Sequence, residues 1–66
     1  MEIMVNGESR EVADDLNVDA LLEMLDLVGK RLAVEVNLEI IPRSTFAKHR
    51  FNAGDRIEIV HAIGGG

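Results

Sequence analysis

The feature that most constrains how this chain folds is an Asn6-Gly7 pair between two short segments with strand-like alternation. Both central residues of a type I′ turn need a positive φ, and Asn-Gly adopts that geometry at low cost. The pair therefore predicts a β-hairpin whose strands cover residues 2–5 and 9–12. Alternation places two apolar side chains on one face of the hairpin, those of Ile3 and Val5.

One amphipathic helix is predicted over residues 18–27. Asn17 is a preferred N-cap, and Gly29 followed by Lys30 predicts the C-terminal end of the helix. Apolar side chains recur at intervals of three and four residues, as one face of a helix requires; they are Val18, Leu21, Leu22 and Leu25. This apolar stripe predicts that the helix packs on a sheet.

Two strands are predicted after the helix. Residues 32–37 alternate large apolar side chains with other residues, which predicts a strand with one buried face. Residues 39–41 predict a shorter strand that ends at Pro42. Because proline cannot donate to a sheet ladder, we expect this strand either to lie at an edge or simply to stop at Pro42.

The last part of the chain predicts a short helix and a long strand. Residues 44–51 are expected to form a helical turn or short helix, with Ser44 or Thr45 as its cap and Phe46 directed inward. Residues 56–63 form the longest β-type run of the chain. We therefore expect this last strand at the centre of the sheet.

The order of these elements predicts an α+β roll of the β-grasp, or ubiquitin-like, type. It contains a mixed sheet of about five strands, one main helix and one short helix. The chain has 66 residues, which leaves room for one domain with a small aliphatic core. We assign residues 1–63 to that domain and residues 64–66 to a flexible C-terminal glycine tail.

Composition and charge exclude several classes of functional site and binding partner. Without cysteine there are no disulfides, no thiolate metal sites and no cysteine nucleophile. A formal charge of −5 opposes binding to nucleic acids and anionic membranes, and favours a basic partner. His49 and His61 lack metal-site spacing, and no nucleophile and base are grouped. We expect a cytoplasmic protein, monomeric when free, without a catalytic residue, bound metal or bound cofactor.

The final residues are the candidate functional segment. Gly64, Gly65 and Gly66 form a thread without side chains that could enter a narrow channel in a partner, with a carboxylate at its tip. On the glycines alone, an idle terminus explains them equally well. Three apolar residues precede the thread and are the candidate docking surface: Val60, Ala62 and Ile63. The same three residues could instead complete the core strand.

Several segments together are similar to one family, the small sulfur-carrier proteins of thiamine biosynthesis. The resemblance covers essentially the whole chain and rests on the Asn6-Gly7 hairpin, the leucine-rich helix, residues 36–43, the Gly54-Asp55 turn and the terminal glycines. It implies an adenylyltransferase related to ubiquitin activators, which consumes ATP, and a thiazole synthase that receives the sulfur. It also implies that the Gly66 carboxylate becomes an adenylate and then a thiocarboxylate, while the carrier itself is not an enzyme.

Three other functions fit parts of the pattern. A molybdopterin-type carrier uses the same tail chemistry but is usually longer. A ubiquitin-like modifier would join Gly66 to a lysine through an amide. A β-grasp binding module would need no terminal glycines. The acceptor of the activated acyl group separates carriers from modifiers, and removal of Gly65 and Gly66 separates both from the binding module.

Overall fold

A mixed sheet of five strands forms the frame of the computed structural model, which describes residues 1–61. The strands are β1 (Glu2–Val5), β2 (Glu8–Glu11), β3 (Leu32–Val36), β4 (Glu39–Ile41) and β5 (Arg56–His61). Their order in the sheet is β2-β1-β5-β3-β4, with β5 parallel to β1 and antiparallel to β3. The predicted central position of the last strand and the predicted edge position of β4 are confirmed. The domain boundary predicted at residue 63 lies outside the described residues.

The first hairpin forms as its turn residues predict. Asn6 has φ 50° and Gly7 has φ 83°, and the strands close on the pair Val5 and Glu8. Positive φ at both central positions is the type I′ geometry, whose twist matches that of the flanking strands. Strand β2 begins and ends one residue earlier than the sequence predicts.

The main helix, α1, covers Val18–Met24 and begins where the sequence predicts. The side chain of Asn17 accepts a hydrogen bond from the backbone nitrogen of Ala20 at 2.8 Å, so it is the N-cap. The apolar stripe of α1 packs on one face of the sheet, because Val18, Leu21 and Leu22 share a buried cluster with the strand residues.

The predicted end of this helix at Gly29 is wrong. The chain leaves the helix through Asp26, which has φ 57°. The backbone nitrogen of Leu27 donates to the oxygen of Leu22 at 2.8 Å, and that of Asp26 donates to the oxygen of Glu23 at 3.1 Å. These two bonds form a Schellman motif. It lets Leu25 and Leu27 both pack against the core, whereas residues two apart in a helix point to nearly opposite sides.

The second helix is shorter than predicted and is capped differently. It is a 3₁₀ helix over Arg43–Thr45, with Pro42 at the N-cap position and no side-chain cap. The prediction of Ser44 or Thr45 as the cap is wrong, because the hydroxyl of Thr45 instead donates to the oxygen of Pro42 at 2.9 Å. The helix cannot extend to residue 51, since Arg50 forms a β-bridge with Asn17.

The core lies between α1 and one face of the sheet. It is mostly aliphatic and includes both phenylalanines, so the predicted inward direction of Phe46 is confirmed. The side chains that are almost completely buried come from β1, α1, β3 and β5, and they are Ile3, Val18, Leu21, Val34 and Ile57. The opposite face of the sheet, called the open face below, carries exposed side chains.

The amino group of Met1 ties the start of β1 to the segment after β2. It donates to the backbone oxygen of Val12 at 2.7 Å and to Oδ1 of Asp14 at 3.0 Å. The hydrogen bond to Asp14 raises the pKa of this amine above its ordinary value, against a smaller lowering by desolvation.

Candidate functional site

Strand β5 leads toward the glycines, and the sheet holds it from both sides. Next to β1, the backbone nitrogen of Asn6 donates to the oxygen of Ile57 at 2.9 Å, and Oδ1 of Asn6 accepts from the nitrogen of Ile59 at 2.7 Å. On the other side, β3 pairs with β5 along its whole length, ending with Leu32 opposite His61. The base of the candidate tail is therefore anchored in the centre of the sheet.

Among the functional residues predicted from the sequence, Val60 lies within the part of the chain that the structure describes. Its side chain is 54% exposed on the open face, beside Ala33 of β3, and so is accessible to a partner. The other selected residues lie outside the described residues, and the roles predicted for them stay predictions: Ala62, Ile63, Gly64, Gly65 and Gly66.

The open face combines acidic and apolar side chains. Glu58 of β5 lies directly opposite Glu35 of β3, and Glu35 lies opposite Ile40 of β4. Within residues 1–61 neither of these carboxylates takes part in an ion pair. Like charges that face each other across two strands destabilise a sheet. The centre of the open face therefore carries two facing carboxylates next to an exposed apolar residue, with Arg56 of β5 lining the same cavity as Glu58.

A second two-residue turn, which the residue types did not predict, joins β3 to β4. Asn37 has φ 50° and Leu38 has φ 71°, the same pattern as the first turn. Leu38 is 89% exposed and Ile40 is 71% exposed. Leu38 lines a shallow cavity of about 310 Å³ together with Asn37, Arg56 and Glu58. The available signal was the two-residue spacing between two strand-like segments, with leucine in the position that glycine holds in the first turn.

A polar network fixes the second turn against the start of β5. Asp55 is buried, and its Oδ1 accepts from Nδ2 of Asn37 at 3.1 Å while its Oδ2 accepts from the backbone nitrogen of Asn52 at 2.8 Å. Oδ1 of Asn37 accepts from the backbone nitrogen of Arg56 at 3.0 Å. The positive φ of Asn37 is thus held in place by contacts to β5.

Residues 1–61 contain neither a metal-binding cluster nor a membrane-spanning helix. Across residues 1–61, His, Asp and Glu side chains do not gather into a group of three that could hold a metal ion. In the same part of the chain, neither helix has the length and apolar character needed to cross a bilayer.

Comparison with known proteins identifies the family. The model of the ThiS family matches residues 3–66. The chain belongs to the ThiS family. A crystal structure of the thiamine biosynthesis protein ThiS from Geobacter metallireducens is 35% identical, superimposes with a TM-score of 0.86 and covers all of both chains. The β-grasp fold and the resemblance to the sulfur carriers of thiamine biosynthesis, both predicted from the sequence, are confirmed.

Two further relatives differ in length. The sulfur carrier protein ThiS of Escherichia coli is 35% identical over 66 residues, which is all of both chains. A thiazole synthase of Paramagnetospirillum magneticum is 46% identical over all of this chain, but the match covers 20% of that protein. This chain therefore spans about a fifth of the length of that relative.

Proposed function

We propose that this protein is a sulfur carrier of thiamine biosynthesis and that the carboxylate of Gly66 carries the sulfur. The observation that carries the proposal is the family match, which runs through the terminal glycines to residue 66. The full-length similarity to the sulfur carrier protein ThiS of Escherichia coli supports it.

The chemistry requires activation before sulfur transfer. A carboxylate is a poor electrophile because its negative charge repels nucleophiles and oxide is a poor leaving group. An oxygen of the Gly66 carboxylate therefore attacks the α-phosphorus of ATP, and pyrophosphate leaves. A sulfide-equivalent nucleophile then attacks the carbonyl carbon of the adenylate, the C–S bond forms, and AMP leaves. The product is a thiocarboxylate at Gly66.

Two partner enzymes complete the scheme. An adenylyltransferase related to ubiquitin activators binds and consumes the ATP, so the carrier binds no cofactor of its own. A thiazole synthase receives the sulfur. Support for this second partner comes from two proteins named thiazole synthase, each of which contains a segment that matches all of this chain. In this scheme the chain is a protein cosubstrate in the cytoplasm and not a catalyst.

The residues before Gly66 present it to the partners. Gly64 and Gly65 thread into a channel that side chains would block, since glycine has no Cβ. Val60, Ala62 and Ile63 form a docking surface at the base of this thread. The exposure of Val60 on the open face, one residue before the last described position, supports this role.

Exchange of labelled pyrophosphate into ATP tests the activation step. The chain is incubated with ATP, labelled pyrophosphate and the adenylating enzyme of the same organism. We expect exchange with the full chain, none with a chain that lacks Gly65 and Gly66, and much less with Gly66→Ala, while all three unfold at the same temperature. Equal exchange by the truncated chain would contradict the proposed role of the tail, and no exchange by the full chain would favour a β-grasp binding module.

A further inference from the structure

The backbone at Leu38 is unfavourable for its residue type. A left-handed conformation brings the Cβ of an L-residue close to the following carbonyl oxygen, so turns of this kind usually hold glycine or asparagine at this position. Leu38 has φ 71° and yet its side chain packs against little, since it is 89% exposed. The fold gains nothing visible from leucine here, and strained residues of this kind often mark functional surfaces.

The neighbours of Leu38 extend the same surface. Ile40, two residues later on β4, is also largely exposed, and Leu38 shares a cavity with Glu58. Glu58 faces Glu35, and Glu35 faces Ile40. These four residues, Leu38, Ile40, Glu35 and Glu58, are called the Leu38 edge. It holds two exposed aliphatic side chains beside two carboxylates that form no ion pair within residues 1–61. Arg56 lines the same cavity as Leu38 and Glu58, so the cationic side chain of a partner would lie on the Glu35 side of Glu58.

We propose that the Leu38 edge is a docking surface for a thiazole synthase, which places Leu38 and Ile40 against an apolar patch and a basic side chain between Glu35 and Glu58. The inference rests on the proposed function. Charge complementarity supports it, because the facing carboxylates and the net charge of −5 both favour a basic partner. The choice of partner rests on the two thiazole synthases that contain a segment matching this whole chain, at 46% and 35% identity.

The position of the Leu38 edge separates it from the base of the tail. The turn lies beside Arg56 at the start of β5, whereas His61 is at the far end of the same strand. Five residues of extended strand span about 17 Å. The synthase can therefore hold the Leu38 edge without covering the end of β5 from which the glycines follow.

Leu38→Gly tests the proposal, because it makes the second turn an Asn-Gly turn and removes the apolar side chain. The matched control is Val28→Ser, which alters an exposed apolar residue in the segment between α1 and β3. Affinity is measured by calorimetry against purified thiazole synthase from the same organism. We expect Leu38→Gly to raise the Kd about tenfold, as loss of an interface anchor does, and Val28→Ser to leave it within about twofold.

Thermal unfolding of Leu38→Gly gives an independent readout. Since glycine relieves the strained conformation, we expect the Tm to rise by about 2–5 °C, and Leu38→Asn to behave in the same way. A merely structural role for Leu38 would instead lower the Tm of both variants, and that result would contradict the proposal.

A charge variant tests the other half of the Leu38 edge. Glu35→Gln with Glu58→Gln should raise the Kd about fivefold and weaken its dependence on salt. Glu8→Gln with Glu23→Gln changes the net charge equally at exposed positions elsewhere and should leave the Kd within about twofold.

Two results would overturn the proposal. If Leu38→Gly and wild type bind the synthase with equal affinity and both support normal pyrophosphate exchange, the Leu38 edge is ruled out while the proposed function stands. If Leu38→Gly instead loses pyrophosphate exchange and keeps its affinity for the synthase, the surface belongs to the adenylating enzyme. Failure of the wild-type chain itself to support exchange would overturn the proposed function.

Discussion

The turns at Asn6-Gly7 and Asn37-Leu38 have matching backbones but different second residues. Each joins two antiparallel strands through two residues with positive φ, at 50° and 83° in the first turn and 50° and 71° in the second. In each turn the asparagine Oδ1 accepts from a backbone nitrogen of β5, that of Ile59 at 2.7 Å or that of Arg56 at 3.0 Å. The two asparagines thus brace the central strand from opposite sides.

The two turns differ in the role of the second residue, which is Gly7 in the first turn and Leu38 in the second. The first residue of each turn, Asn6 or Asn37, has a structural role, because it adopts the positive φ of the turn and its side chain hydrogen-bonds to β5. The second position makes no such contact, so its residue is free to serve another purpose. Glycine at position 7 adopts the positive φ without backbone strain. Leucine at position 38 is strained by the same conformation and adds exposed apolar surface.

The largest effect is expected from removing an asparagine brace. Asn6→Ala leaves the nitrogen of Ile59 without its acceptor and places alanine at positive φ. We expect the free energy of unfolding to fall by about 2–4 kcal/mol, measured by urea denaturation. Asn6→Asp keeps the acceptor and should stay near wild type. Equal stability of Asn6→Ala and wild type would show that the brace is dispensable.

Exchanging the second residues should give effects of opposite sign. A Cβ at Gly7 would meet no atom within 4 Å, so the effect of Gly7→Leu comes from the backbone conformation alone. We expect it to lower the free energy of unfolding by about 1–2 kcal/mol, whereas Leu38→Gly should raise it by about 0.5–1 kcal/mol. Urea denaturation measures both. A loss of stability in Leu38→Gly would show that Leu38 is not strained in the second turn.

Val60 lies near the C-terminal end of β5, whereas Leu38 lies near its N-terminal end. The two residues are therefore proposed to contact different partners. Val60→Asp should weaken binding to the adenylating enzyme about tenfold, or about 1.4 kcal/mol, by placing a charge in the docking surface. Met24→Asp is a matched control, since Met24 is 53% exposed and Val60 is 54% exposed. Equal affinities of the two variants, both folded, would remove Val60 from the docking surface.

The smallest expected effect on stability comes from the amino group of Met1. This group contacts Val12 and Asp14, next to the first hairpin, and has no counterpart at the second turn. Its pKa is raised by the hydrogen bond to Asp14, so its contribution to stability is complete below its ordinary pKa of 8.0 and is lost as the pH rises through the higher folded value. The stability difference between wild type and Asp14→Asn should therefore shrink as the pH rises above 8. A difference that is constant with pH in urea denaturation would contradict this.

Residue type predicted the parts of this fold that depend on local preference. Asn6-Gly7 specified its turn, Asn17 specified the helix start, and the alternation along residues 56–60 separated the buried from the exposed side of β5. The helix end was missed because the turn at Asp26 depends on packing of Leu25 and Leu27. Leu38 was missed because leucine gives no signal of positive φ, which here is imposed by the contacts of its neighbour Asn37.

A mass measurement on one fragment shows whether sulfur is carried at Gly66. The chain is incubated with the adenylating enzyme, ATP and a sulfur source, then cut after Arg56. Replacing oxygen by sulfur adds about 16 Da, as does oxidation of methionine, but residues 57–66 contain no methionine. We predict a gain of about 16 Da on this fragment that requires ATP and is absent from Gly66→Ala. An unchanged fragment, or one joined through an amide to a lysine of another protein, would contradict the account.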